Sequence, residues 1–319
     1  MTTIQLAAGL RRPAMRIPRT RNWGIGLAFA AAAISGFSVW VNSYAVKEVR
    51  DPAVFTTTKN LVVGCALLVL LLGRANGAPA LPKAWRKRWM LVALGVVGGS
   101  IPFVLFFEGL ARSGPGNAAF IQKSLFLWVA LLAVPLLHER IGRWQVSALG
   151  MLVVAQLLIG RPGNWRPGDG ELLVLAATGF WTVETIFARK LLPEVGAGLG
   201  ATARMALGGL LLLGYLVTQG KADAISSLSG EQWRWVLTTS AILMIYVGTW
   251  YSALERAPAT VVTSILALGA PITVALSTWS GKPAPNAEQL SGYLVLALAL
   301  AVVALSASRQ RPAARPVGP

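Results

Sequence analysis

One cysteine and one histidine in 319 residues leave little room for several kinds of chemistry. Cys65 stands alone in an apolar run, so there is no intramolecular disulfide and no thiolate cluster for a metal. His138 is also single, which removes zinc chemistry and most histidine-based acid–base or nucleophilic catalysis. Charge is scarce as well. Asp, Glu, Lys and Arg make up 13% of the chain, roughly half of the ~25% that a water-facing domain carries. Acidic residues number 12 against 29 Lys and Arg, a formal net charge of +17. Such a basic excess can mark nucleic-acid binding, but the cations sit in short clusters between apolar runs. A nucleic-acid partner would need a folded basic face with stacking aromatics, and no polar segment exceeds a loop or tail, so none is expected. The chain has no His-Glu-x-x-His, no Gly-x-Ser-x-Gly, no phosphate-binding loop and no paired aspartates within apolar runs. It reads as a non-enzyme without cofactor or metal.

What fills the chain is apolar: 55% of residues are hydrophobic and the mean hydropathy is +0.61. Ten runs approach the roughly 20 residues a helix needs to cross hydrocarbon: 23–46, 53–73, 89–112, 116–137, 143–160, 170–192, 198–218, 234–255, 258–279 and 288–307. The predicted fold class is therefore an all-α polytopic membrane protein with ten transmembrane helices and the lipid bilayer as its partner. Residues 1–22 are Arg-rich and lack a cleavable apolar core, so they read as a cytoplasmic tail, as do 308–319. With the N-terminus inside, Lys and Arg divide eighteen inside to eight outside, leaving Lys59, Lys123 and Arg204 within spans. That bias predicts both termini in the cytoplasm. The sequence leaves the oligomeric state open, a monomer being sufficient.

Sliding the chain on itself by 143 residues brings Ser35-Gly36-Phe37 onto Thr178-Gly179-Phe180, Lys47 onto Lys190 and Pro115 onto Pro258. A shift of 145 puts Lys59 on Arg204 and Gly64 on Gly209. Residues 22–160 and 170–307 thus form two halves of five spans each. An odd number per half makes the second enter from the opposite side, so the repeat is inverted.

Charged groups in hydrocarbon cost several kcal/mol unless they snorkel or pair. Lys59 and Arg204 read either as snorkelling side chains or as opposite mouths of a polar pathway, and Glu108 and Glu184 either as structural partners or as coupling groups. Lys123, beside Gln122 and Ser124, is the best candidate for a cation facing a substrate. Small polar stripes at helical spacing mark four faces: Ser35, Ser38 and Asn42; Thr178, Trp181 and Thr185; Asn117, Ser124 and Trp128; Thr260, Ser264 and Ala267. A shared central cavity explains their repeat-related positions, with aromatics Trp40, Phe103, Phe107, Tyr246 and Trp250 nearby. The fifth and tenth spans carry only Gln156 as a strongly polar interior residue. They are expected at the periphery, where a bulky residue at Ala299 would be nearly harmless to activity.

Ala111-Arg112-Ser113 through Leu136-Leu137-His138-Glu139-Arg140-Ile141, followed by Gln145 and Gly150, resembles the EamA-type repeat of the drug/metabolite transporter superfamily. Pro258 to Pro271 follows the same pattern, with Gly281-Lys282 replacing the Glu-Arg pair. Within that superfamily the pattern is most similar to the YddG aromatic amino acid exporters of bacterial inner membranes. The resemblance implies a central cavity from spans 1, 3, 4, 6, 8 and 9, and export of a small-molecule substrate by alternating access.

Overall fold

A computed structural model of the chain describes residues 17–73, 81–139, 141–160 and 168–309. Most of the N-terminal tail, the separators 74–80 and 161–167, Arg140 and the tail 310–319 lie outside the described residues. Ten helical rods follow one another: α1 (Ile17–Val49), α2 (Pro52–Leu72), α3 (Trp85–Ser113), α4 (Pro115–Leu137) and α5 (Arg143–Gly160). The second five are α6 (Asp169–Val195), α7 (Ala197–Thr218), α8 (Gly230–Arg256), α9 (Ala259–Trp279) and α10 (Ala287–Arg309). No strand occurs among the described residues. All but α5 are long and apolar enough to cross a membrane. With 18 residues, α5 is about 27 Å long, just short of the ~30 Å hydrocarbon core.

Most helices begin earlier than the apolar runs. Residues 17–22, expected in the tail, are the first turns of α1, and Arg86-Lys87-Arg88 are early turns of α3. Hydropathy marks the part of a helix that sits in lipid, while hydrogen bonding carries the helix past it. Local signals set the ends. The Asp51 carboxylate accepts from the N–H groups of Ala53 (2.9 Å) and Val54 (3.1 Å), with Pro52 at the first helical position of α2. Ser229 and Gln232 form a reciprocal capping box on α8.

Packing respects the two halves. Helix α1 lies on α8 as α6 lies on α3, while α2 pairs with α7, α4 with α9 and α5 with α10. Exchanging the halves leaves this pattern unchanged, as a two-fold relation requires. Glycines allow the closest approach: a Cβ on Gly208 would lie 2.5 Å from the backbone of Gly99, and one on Gly64 would lie 2.8 Å from Ala206. Three rods are interrupted. A π-turn spans Leu94–Ser100 in α3, α4 breaks at Ser124, and α9 breaks at Ala267 and Leu268. Ser124 and Ala267 stand 143 residues apart, the repeat spacing.

Helices α5 and α10 pack together and supply none of the residues of the central cavity described below. Ala299, expected to accept a bulky residue with little effect on activity, is fully buried in a cluster with Phe126, Leu152, Ala267 and Leu296, where a larger side chain would meet packed neighbours. The apolar composition of α10 does not separate a lipid-facing side from a helix-facing one.

Candidate functional site

A cavity of about 60 Å³ lies between the halves. It takes Ser38 and Asn42 from α1, Phe103 and Phe107 from α3, Gln122 from α4, Trp181, Glu184 and Thr185 from α6, and Tyr246 and Trp250 from α8. Leu266 of α9 closes it. Helices α2 and α7 also reach it, through Lys59 and Arg204; the resemblance implied neither. Ser35, Phe106 and Leu243 line it as well. Ser35 belongs to the same helical face as Ser38 and Asn42, so that face already pointed to it.

Polar groups on the α1 side form one chain. Asn42 donates through Nδ2 to the Ser38 carbonyl (2.7 Å) and hydroxyl (2.9 Å), which turns its Oδ1 to accept from Lys59 Nζ at 3.0 Å. The Lys59 ammonium also lies 4.1 Å from the centre of the Phe107 ring and 4.9 Å from that of Phe55. Lys123 is at the break of α4, just behind the wall. It donates to Ser35 Oγ (2.6 Å) and Gln122 Oε1 (2.9 Å), both of which belong to lining residues.

The α6 side is built differently. Glu184 accepts from the Tyr251 hydroxyl and faces Arg204 Nε across 4.0 Å. Arg204 Nε donates to the Gly98 carbonyl (3.1 Å), which also accepts from Trp181 Nε1 (3.2 Å). Pro102, four residues on, has no N–H to offer that carbonyl in the α-helical register. The glycines of Leu94–Ser100 let Glu184 and Arg204 press against the turn: a Cβ on Gly98 would sit 2.4 Å from the Glu184 side chain. Phe103 and Trp181 meet edge to face at 5.6 Å, and Tyr246 stacks on Trp250 at 6.2 Å.

Besides Lys123, five expected substrate-binding residues lie outside the lining. Trp40 donates to Ser280 Oγ (3.2 Å) in an aromatic group with Tyr44 and Trp279. Ser124 bonds the Ile121 carbonyl (2.7 Å), and Trp128 is 42% exposed on the outer surface of the bundle. Ser264 is buried but bonds the Thr260 carbonyl (2.7 Å), and Ala267 packs toward α5 and α10. The breaks at Ser124 and Ala267 change the helical phase, so a stripe drawn through either one as a continuous helix ends on the wrong face. Glu108, expected as a gating group, pairs with Arg112 at 2.9 Å at the end of α3, away from the cavity.

Residues 22–161 and 169–305 each match the EamA-like transporter family. An uncharacterized transporter of Synechocystis is 27% identical over 228 residues, covering 63% of this chain and 66% of its own length. The uncharacterized inner membrane transporter YedA of Escherichia coli K12 is 23% identical over 199 residues, covering 61% of this chain and 64% of its own. The chain thus spans just under two thirds of the curated relatives it matches. A crystal structure shares the fold with a TM-score of 0.66 at 19% identity, over 88% of this chain and 99% of that one.

Proposed function

The chain belongs to the EamA-like transporter family of the drug/metabolite transporter superfamily, and from that premise we propose that this multi-pass membrane transporter exports small amphipathic metabolites by alternating access. Aromatic and other neutral amino acids are the substrate class, and the bacterial inner membrane is the site of action. The observation that carries this reading is the cavity between the halves, where rings of Phe103, Phe107, Trp181 and Trp250 adjoin hydrogen-bonding groups of Ser38, Asn42 and Gln122. Rings offer an aromatic side chain stacking and edge contacts, and the amide and hydroxyl groups orient its polar end. A site at the interface of the halves stays fixed while they rock about it. The positive-inside bias of the loops supports an orientation with both termini in the cytoplasm. Counterflow of labelled tryptophan, phenylalanine and threonine into proteoliposomes tests the reading. Stimulation by internal unlabelled amino acid supports it; flux of cationic dyes or nucleosides alone replaces the substrate class.

A further inference from the structure

We propose that Lys59 is a carboxylate subsite, so that the substrate must carry a carboxylate while its amino group is dispensable; this rests on the transporter reading above. An ammonium 1% exposed in the middle of a helical bundle is costly unless compensated. The protein supplies Lys59 with one hydrogen bond from a neutral amide, Asn42, and two ring faces. Three N–H groups need partners, and no carboxylate among the described residues pairs with this one.

The repeat shows what is missing. The spacing of 145 that places Lys59 on Arg204 joins two buried cations in corresponding helices. In the second half the α7 cation meets a carboxylate from α6, Glu184. In the first half the α2 cation meets an amide from α1, and the 143 spacing sets Asn42 on Thr185, the neighbour of Glu184. One half neutralises its cation within the protein and the other leaves it for a ligand. Lys123 reinforces the imbalance, since its partners Ser35 and Gln122 are also neutral. The cavity's one carboxylate, Glu184, is partnered within the protein through Oε1, which accepts from the Tyr251 hydroxyl and faces Arg204 Nε. A ligand carboxylate therefore meets a cation with no acidic partner, whereas a ligand ammonium meets a carboxylate whose charge Arg204 already opposes.

The test uses the full-length protein in detergent, with the unfolding midpoint followed against 3-phenylpropanoate, phenylalanine and phenethylamine. The two carboxylates should raise the midpoint and the amine should not. Lys59→Met should weaken the carboxylate response roughly tenfold or more, the value of one charge-assisted hydrogen bond, and Lys59→Arg should retain most of it. Asn42→Asp gives Lys59 an internal partner and should abolish the response with the cation still present, which covers the case in which Lys59→Met fails to fold. Stabilisation by phenethylamine equal to that by 3-phenylpropanoate overturns the subsite, as does an unchanged response in Lys59→Met or Asn42→Asp, or no response to either carboxylate. A carboxylate response without counterflow would count against export and leave the subsite standing.

Discussion

Glu184 and Arg204 are 1% and 4% exposed at their side chains and face each other across 4.0 Å. Their value shows when one is removed. Glu184→Gln leaves a buried guanidinium without its counter-charge, and Arg204 already has one nitrogen, Nη1, with no partner. The expected loss is about 3–5 kcal/mol. Replacing both, as Glu184→Gln with Arg204→Met, should recover much of that loss, because no isolated charge remains. Unfolding midpoints of the two single variants and the double variant in detergent give the coupling; additive losses would show the pair to be uncoupled. The sequence announced these residues, because an ionisable group within an apolar run is conspicuous on cost alone. It did not announce which of them pair. Lys59, Lys123 and Arg204 look alike in a hydropathy profile, and only the fold gives Glu184 to Arg204 and amides or hydroxyls to the other two.

Helix ends and close contacts yield two further expectations. Asp51 caps α2 and also bonds Lys221 at 2.7 Å, joining the halves at the surface. Partial burial pushes the Asp51 carboxyl up, but the bond from Lys221 and the N–H groups of Val54 and Ala53 outweigh it and hold it below the ordinary carboxylate range. The same bond raises the Lys221 ammonium. The stabilisation is thus present above the ordinary carboxylate range and is lost as pH falls through the lowered Asp51 value. At high pH it is lost as Lys221 deprotonates. Asp51→Ala removes cap and bridge and should cost about 1 kcal/mol, while Asp51→Asn keeps the cap and should cost less; acid titration of the unfolding midpoint separates the two terms. In the core, Gly208→Ala drives a Cβ into the Gly99 backbone and should cost about 1–3 kcal/mol. Gly248→Ala meets nothing within 4 Å and should cost nothing, since Ala favours helix by up to ~1 kcal/mol. Equal membrane abundance of the two variants would show that the α3–α7 approach is not tight. The element count was legible in the apolar runs. The interruptions were legible only in part: Pro102 and the glycines before it signal the turn in α3, but nothing in Gln122 to Leu125 marks the break in α4.

The alternating access proposed above would require contacts between the halves to break at one end and then the other. At one end the ties are solvent-exposed: Lys221 to Asp51, and Asn117 Nδ2 to Glu171 at 2.9 Å. An exposed ion pair such as Lys221–Asp51 contributes little and is screened by salt, and an exposed amide–carboxylate bond is exchanged readily for bonds to water. The other end is held by Glu139 of the first half, whose carboxylate sits at the start of α9. It accepts from the N–H of Ala259 (2.7 Å) and from the N–H (3.1 Å) and hydroxyl (2.7 Å) of Thr260. Arg189 of α6 approaches it to 3.9 Å and donates to the carbonyls of Leu254 (2.7 Å) and Glu255 (3.1 Å). One carboxylate therefore joins the end of α4 to α6 and to the N-terminus of α9, whose partial positive charge it complements. This end is the firmer of the two, so the protein should open more readily at the end that carries Asp51. Glu139→Ala should reverse that preference. Leu266→Cys in a Cys65→Ala background places a thiol on the cavity wall as the reporter. In vesicles that expose the Glu139 end, its reaction with an impermeant maleimide should be slow and should accelerate several-fold on Glu139→Ala. In vesicles of the opposite orientation the same change should slow it. Unchanged rates in both orientations would mean that Glu139 anchors α9 without holding that end shut.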